Sequence, residues 1–90
     1  MILKRPLFER AYRRLTSDQR FAVGAAIAKL EQSFGRPHEH AGIGVRSIGS
    51  FFECRAGLQL RVLFLARDGD LVLVTVGNDD AIRTFVKENS

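Results

Sequence analysis

The sequence has very little cysteine, since Cys54 is the only one among its 90 residues. A single cysteine excludes an internal disulfide and a cysteine-rich zinc site, and it fits a reducing compartment. Cys54 alternates with apolar Phe52, so we interpret it as a small buried hydrophobe rather than a nucleophile. We therefore expect neither a metal nor any other cofactor.

Long hydrophobic runs are absent as well. The longest candidate, residues 21–34, carries Lys29 and Glu31 and falls short of the roughly 18 uninterrupted apolar residues of a membrane span. Residues 1–6 contain a basic pair but neither the apolar region nor the cleavage site of a secretory signal. We expect a soluble cytoplasmic protein with no membrane partner.

Internal repeats, low-complexity segments and a linker are also missing. The chain is 46% hydrophobic and 27% charged, which is close to the average for globular domains. A chain of this length supports one modest core. We therefore expect residues 1–90 to form a single domain.

What the chain does have is an uneven distribution of charge. Its formal net charge is +4, yet residues 68–90 contain five acidic residues against two lysines or arginines. The remainder of the chain is therefore strongly basic. A basic body with an acidic end favours a polyanionic partner such as nucleic acid, or an acidic protein segment.

The first apolar pattern has helical spacing. Pro6 suits the first turn of a helix, and the periodicity predicts a helix over residues 6–15. Arg10, Arg13 and Arg14 lie three and four residues apart on its other side and form a cationic stripe. A solvated charged face is the commoner explanation for such a stripe, and a contact with the phosphates of a nucleic acid such as RNA is the functional alternative.

A second helix is predicted over residues 17–34. Thr16 and Gln19 form a capping-box pattern at its start, and Gly35 followed by Pro37 ends it. The two helices are expected to form a hairpin.

Beyond the second helix the period changes to two. Apolar, β-branched and aromatic residues predict extended segments at 45–48, 51–56, 58–66 and 71–76. The first two are either separate strands or one strand with a bulge. A final short helix, capped by Asn78 or Asp79, follows. The expected fold class is α+β, with an N-terminal helical hairpin packed on a three- to four-stranded antiparallel sheet and a short C-terminal helix.

The register of the middle hairpin follows from which residues must be buried. The apolar residues around Cys54 share the core face with those of the next strand only if the loop has an odd length, and residues 56–58 satisfy this. Glu53 then lies opposite Arg61. Both share with Arg55 the sheet face that points away from the helical hairpin.

The last hairpin places apolar residues on that same outer face. A two-residue turn at residues 68–69 sets Leu65 opposite Val72 and Leu63 opposite Val74. The C-terminal helix covers part of this patch, and the rest is expected to be a docking surface. We hypothesise that this helix swings away when a partner segment inserts in its place.

Five short motifs follow one another in a defined order. They are FERAYRRL at 8–15, GVRSI at 44–48, FECR at 52–55, LRVLF at 60–64 and VGNDD at 76–80. Together with the order of helices and strands, they resemble the RelE/ParE superfamily of bacterial toxin–antitoxin toxins over about residues 7–88.

The resemblance implies a growth-inhibiting toxin that a cognate antitoxin neutralises by wrapping its surface, here at Leu63, Leu65, Val72 and Val74. RelE-like members cleave mRNA in the ribosomal A site, without a metal, by making the RNA 2′-hydroxyl attack the neighbouring phosphate. ParE-like members share the fold and inhibit DNA gyrase. We predict a ribosome-dependent mRNA endoribonuclease, with a gyrase inhibitor or a degenerate, non-catalytic binding module as the alternatives.

The predicted catalytic residues are Arg46, Arg55, Arg61 and Asp79. Arginine suits the charge that develops on a phosphate under attack, because its guanidinium is planar and permanently protonated. The resemblance matches Arg55 and Arg61 to strand arginines of the family's catalytic surface. A cross-strand ion pair between Arg61 and Glu53 is the structural alternative. Arg83 joins the predicted RNA-binding residues.

General acid–base groups are fewer. Asp79 stands where many members have a histidine, and Phe85 lies near the place of the C-terminal tyrosine of the RelE-type site. His38 and His40 are the remaining side chains that titrate near neutral pH. They lie in a loop flanked by glycine and proline, where solvated histidines are common.

Overall fold

The computed structural model describes residues 1–33 and 44–89. The predictions made for Phe34, Gly35, Pro37, His38 and His40 lie outside the described residues. The elements, in chain order, are β1 (Ile2–Lys4), α1 (Pro6–Arg13), α2 (Ser17–Ser33), β2 (Arg46–Ile48), β3 (Phe51–Ala56), β4 (Leu60–Arg67), β5 (Asp70–Asn78) and α3 (Asp79–Asn89). No helix in the described part of the chain is long and apolar enough to cross a membrane.

The five strands form one mixed sheet in the order β1-β5-β4-β3-β2. We call the face that carries Cys54 and Val62 the inner face, and the opposite one, which carries Leu63, the outer face. α1 and α2 cover the inner face, and α3 packs on the outer face. The predicted α+β class with an N-terminal helical hairpin and a short C-terminal helix is therefore confirmed.

Strand β1 was not predicted. It runs parallel to β5, with Ile2 opposite Leu71, whereas every other neighbouring pair is antiparallel. Across the described ranges the sheet therefore has five strands of mixed direction instead of three or four antiparallel ones. Three residues are too few to show a periodic pattern, and this strand exists because its backbone groups find partners on β5.

The helices follow the predicted capping chemistry. The backbone N–H of Gln19 donates to Oγ1 of Thr16, and the N–H of Thr16 donates to Oε1 of Gln19, at 3.1 and 2.9 Å. The capping box is thus present with both of its bonds. α1 ends at Arg13 rather than residue 15, because the next two N–H groups bond carbonyls only three residues back.

The inner core joins the two helices to the sheet. It is built from buried side chains of both layers, chiefly Phe8, Val23, Leu30, Cys54, Val62, Phe64 and Leu73. Burial on both sides of the strands explains why β4 and β5 carry almost continuous apolar runs. The prediction that Cys54 is a buried small hydrophobe is confirmed, since it is 0% exposed.

The β3–β4 hairpin has the predicted faces but a different loop. Ala56 pairs with Leu60, so the three-residue loop is 57–59 instead of 56–58. Ala56 is buried in the core, while Gly57 adopts the positive φ of 72° that the turn needs. The loop length stays odd, so each side chain keeps its face while every cross-strand partner changes.

This shift corrects the predicted polar pairing. Arg55 lies opposite Arg61, and Glu53 lies opposite Leu63. The expected cross-strand pair between Glu53 and Arg61 is therefore wrong. Glu53 instead lies opposite Arg46 on its other side, across the β2–β3 pair.

The β4–β5 hairpin confirms the Asp-Gly turn, with positive φ at both Asp68 (52°) and Gly69 (83°). Leu65 lies opposite Val72, as predicted. Leu63 lies opposite Thr75 rather than Val74, because the register shifts between residues 63 and 64. An irregularity of one residue in a strand leaves no mark in the hydrophobic pattern on either side of it.

The structure also decides two alternatives that the sequence left open, the number of strands over residues 45–56 and the residue that caps α3. β2 and β3 are separate antiparallel strands joined at Gly49-Ser50, so the single bulged strand is excluded. Asn78 caps α3, since its Oδ1 accepts a hydrogen bond of 2.8 Å from the N–H of Ala81.

Candidate functional site

Three arginines of the outer face come from three neighbouring strands. Arg46 lies on β2, Arg55 on β3 and Arg61 on β4. Glu53 pairs with Arg46 across the first strand pair and stands two residues from Arg55 on the same face, and Arg55 faces Arg61 across the second pair. Cross-strand neighbours have Cβ atoms about 5 Å apart. The fold therefore places three arginines on neighbouring strands of the outer face, with Glu53 between Arg46 and Arg55.

Arg46 is bound to that carboxylate. Its Nε donates to Oε1 of Glu53 at 2.5 Å, with Glu53 only 1% exposed and Arg46 60% exposed. The hydrogen bond to Glu53 and the charge of this carboxylate raise the pKa of Arg46 above its ordinary value. The second carboxylate oxygen of Glu53 is buried and has no hydrogen-bond partner within residues 1–33 and 44–89.

Arg55 is exposed and lies against the backbone of Gly44. Gly44 has a φ of 62°, and a Cβ placed there would stand 3.2 Å from Nε of Arg55. A side chain at position 44 would press on the guanidinium stem. Glycine therefore serves two purposes here, because it adopts the left-handed conformation and leaves room for Arg55.

Arg61 borders a groove at the junction of the sheet and α3. Its Nη1 donates to the carbonyl of Leu60 at 3.2 Å, and the side chain is half-buried. The groove has a volume of about 320 Å³. Its other lining residues are Leu58, Gln59, Asn78, Asp79 and Asp80. Two of the four predicted catalytic residues, Arg61 and Asp79, thus meet at one groove.

Asp79 connects this groove to α3. Its carboxylate lies 3.1 Å from Nε of Arg83, one helical turn further on. Its negative charge also reaches Arg46, where it contributes to the raised pKa. Arg83, predicted to bind RNA, is therefore engaged by a predicted catalytic residue. Both residues lie on the same side of the molecule as the three outer-face arginines.

The cationic stripe of α1 lies elsewhere. Arg10, Arg13 and Arg14 are exposed, but α1 packs on the inner face through Phe8. The sheet stands between this stripe and the outer-face arginines. The structure does not bring the two predicted groups of arginines together.

The predicted antitoxin-binding residues divide into two pairs. Leu63 and Val74 are buried beneath α3, where they pack in a second core cluster that includes Ile82. Leu65 and Val72 are half-buried next to that cluster. A segment that contacts all four must displace α3 at least in part.

The contacts of two residues of this site were not predicted from the sequence. Glu53 was predicted to pair with Arg61 across the β3–β4 hairpin, although a two-residue turn at positions 49–50 already places it opposite Arg46. Gly44 begins the GVRSI motif, but its contact with Arg55 was not predicted, because it joins residues eleven apart across a loop. Among the described residues, no group of three histidine, cysteine or acidic side chains is arranged to hold a metal ion.

No protein-family model and no curated protein sequence matches this chain. Solved structures do match it. The toxin–antitoxin complex RelB-RelE from Methanococcus jannaschii aligns with a TM-score of 0.69 at 12% identity, over 92% of this chain and 96% of that one. A copper-bound mutant toxin from Helicobacter pylori aligns with a TM-score of 0.68 at 16% identity, over 90% and 96%. The chain therefore shares the fold of these two proteins, a RelE-like fold.

Proposed function

We propose that this chain is the toxin of a toxin–antitoxin pair, and that it stops translation by cleaving mRNA on the ribosome. The observation that carries the proposal is the convergence of Arg46, Arg55 and Arg61 on the outer face, beside an open groove. A RelE-like fold accompanies it. Clustered guanidinium groups are suited to the phosphates of RNA.

The chemistry requires no group beyond RNA and protein. The ribose 2′-oxygen attacks the adjacent phosphorus, the bond to the 5′-oxygen of the next nucleotide breaks, and a 2′,3′-cyclic phosphate remains. One proton leaves the 2′-oxygen and one reaches the departing 5′-oxygen. Arginine donors that point at the phosphate oxygens stabilise the extra charge of the transition state. Arg61, next to the groove, is assigned to this step.

Asp79 is the proposed proton acceptor. Asp79 and Asp80 both line the groove with Arg61, and Asp79 is the one that stands where many RelE-like proteins have a histidine. In the structure its carboxylate is engaged by Arg83. We propose that RNA binding draws Arg83 onto a phosphate and releases this carboxylate. Such an exchange is charge-balanced, because the guanidinium swaps one anion for another.

The proposed protein partner is a cognate antitoxin. The RelB-RelE complex shows that a protein of this fold is bound by an antitoxin. In this chain the half-buried residues Leu65 and Val72 continue the apolar cluster beneath α3. We propose that an antitoxin segment docks there and takes the place of α3 over Leu63 and Val74.

The proposal is tested by inducing the chain in a bacterial host and following the incorporation of labelled amino acids and labelled thymidine. We expect amino-acid incorporation to collapse first. Arg61→Ala is expected to slow that collapse at least tenfold, because loss of one positioned charged donor costs about 2 kcal/mol or more in the transition state.

The control is Arg67→Ala, an exposed arginine at the far end of the same strand, which should remain as toxic as the unchanged chain. Equal toxicity of Arg61→Ala at equal protein level would remove Arg61 from the catalytic step.

A gyrase-directed toxin is the second candidate, and the lack of a classical acid–base pair among the described residues favours it. Within residues 1–33 and 44–89 there is no histidine, and the single tyrosine, Tyr12, packs on Phe8 with the inner core. A chain that acts only by binding does not need such groups. In that case induction of a DNA-damage response would precede any loss of translation.

A further inference from the structure

Glu53 is an unusual residue for a small hydrophobic sheet. Its carboxylate is 1% exposed, yet only one of its two oxygens is bonded in the described part of the chain. Burying a carboxylate with incomplete pairing is costly. An apolar residue opposite Leu63 would satisfy the packing of the outer face better. Residues that break such a local rule are expected where function requires them.

The geometry of the ion pair indicates what Glu53 provides. The carboxylate contacts Arg46 through Nε alone, and none of the other described residues bonds this guanidinium. Within residues 1–33 and 44–89, both Nη groups therefore remain available as donors in a planar fork, which matches the spacing of two phosphate oxygens. With 60% of its side chain exposed, Arg46 presents this fork to solvent.

Arg55 and Arg61 are less suited to binding a phosphate through both Nη groups. Arg61 is half-buried and already donates from Nη1 to a carbonyl of its own strand. Arg55 packs against Gly44, and no hydrogen bond or ion pair within the described ranges holds its guanidinium. In the part of the chain that the structure describes, Arg46 is the one of the three that is oriented by a charged hydrogen bond.

We propose that Glu53 is a positioning residue, which fixes Arg46 through Nε so that its two Nη groups form a preorganised clamp for an RNA phosphate. This inference rests on the proposed function and gives Arg46 and Arg61 different roles in it. Arg46 holds the phosphate in the bound state, and Arg61 acts in the transition state. Holding the long arginine side chain in place before binding reduces the entropy lost when RNA docks.

The inference is testable because it predicts a change in RNA affinity opposite to the one that simple electrostatics predicts. Glu53→Leu removes a negative charge from the cationic surface, so simple electrostatics predicts tighter RNA binding. Loss of the anchor predicts weaker binding instead. The variant is expected to fold, because Arg46 is left exposed to water and the new side chain faces Leu63. Arg46→Ala, which removes the other partner of the ion pair, would leave a buried carboxylate without a counter-charge, so this variant is not used.

The experiment measures two quantities on the purified full chain. These are the affinity for a fluorescein-labelled single-stranded RNA at fixed salt, and the concentration that halves protein synthesis in a cell-free translation system. We expect Glu53→Leu to weaken both by about tenfold, the effect of losing one well-placed charged contact. Its thermal midpoint should not fall below that of the unchanged chain. Glu88→Leu, which removes an exposed carboxylate on α3, should bind RNA as tightly as the unchanged chain or more tightly.

A double-mutant cycle with Arg46→Lys completes the test. Lysine keeps the positive charge but lacks the fork. In the chain that keeps Glu53, we expect Arg46→Lys to weaken RNA binding by about as much as Glu53→Leu does. In the Glu53→Leu background it should change binding by less than about twofold, since the fork is no longer held there.

The outcomes separate the two proposals. If the unchanged chain neither binds the RNA nor inhibits translation, the proposed function fails and this inference fails with it. If the unchanged chain does both and Glu53→Leu is equal or stronger, the function stands and Glu53 is not a positioning residue. Equal effects of Arg46→Lys in both backgrounds would also overturn the inference.

Discussion

At the scale of single residues, the three outer-face arginines differ in what holds them. A buried carboxylate holds Arg46, a backbone carbonyl accepts from Arg61, and a glycine makes room for Arg55. These supports determine where each positive charge stands, and in a proposed RNA site position decides affinity as much as charge does. A glycine can therefore matter to RNA binding without touching RNA.

Gly44→Ala tests this at the residue scale. We expect it to lower the free energy of unfolding by about 1 kcal/mol, because an L side chain is strained at a φ of 62°. It should also weaken RNA binding by about tenfold through displacement of Arg55. The measurements are urea unfolding and fluorescence anisotropy with labelled RNA.

Gly69→Ala supplies the matched control. Gly69 also has a positive φ, of 83°, but a Cβ there meets no atom within 4 Å. It should therefore lose similar stability and keep its RNA affinity. If both variants lose affinity equally, backbone strain rather than the contact with Arg55 is responsible.

At the scale of elements, the junction between β5 and α3 combines tight packing with the proposed site. Gly77 lies opposite Arg61 in the sheet, and a Cβ at Gly77 would stand 3.0 Å from Cβ of Ala81 on the first turn of α3. The groove that Arg61 shares with Asp79 lies at this junction. Close approach of the helix to the strand thus sets the shape of the groove.

Gly77→Ala is expected to destabilise the protein by about 1–2 kcal/mol, because the added methyl group pushes against the helix. Adding Ala81→Gly should relieve the contact, so the double variant is more stable than the sum of the two single changes predicts. Urea unfolding of all four proteins measures this coupling. Strictly additive losses would show that the contact between residues 77 and 81 is not the cause.

At the scale of the whole molecule, global unfolding exposes core groups to water. Burial raises the pKa of the Cys54 thiol from 9.0 to about 12, and the negative charge of Glu53 adds to the shift. A folded-state pKa above the unfolded value means that the unfolded chain releases its proton first as pH rises. The stability contributed by the protonated thiol is therefore complete below about pH 9 and is lost as pH rises toward 12.

Cys54→Ala makes this contribution measurable. The difference in unfolding free energy between the unchanged chain and the variant should be constant from pH 6 to 8 and should narrow above pH 9, by roughly 1 kcal/mol per pH unit. Taking the difference cancels the titration of lysines and the tyrosine, which both proteins share. A difference that stays level up to pH 11 would show that the thiol does not titrate differently in the two states.

The sequence alone was sufficient for features that depend on neighbours along the chain. The capping box at Thr16, the Asn78 cap and the Asp68-Gly69 turn are local hydrogen-bond and φ preferences, and each was predictable. The face on which Cys54 and Arg61 lie was also predictable, since side chains alternate along a strand.

Only the tertiary structure decided which side chains meet across strands. A loop displaced by one residue put Leu63 instead of Arg61 opposite Glu53, and an irregularity in the register put Thr75 instead of Val74 opposite Leu63. Residues 2–4 became a strand only because β5 offered an open edge. Such pairings depend on backbone partners distant in the chain, and periodicity in one segment carries no information about them.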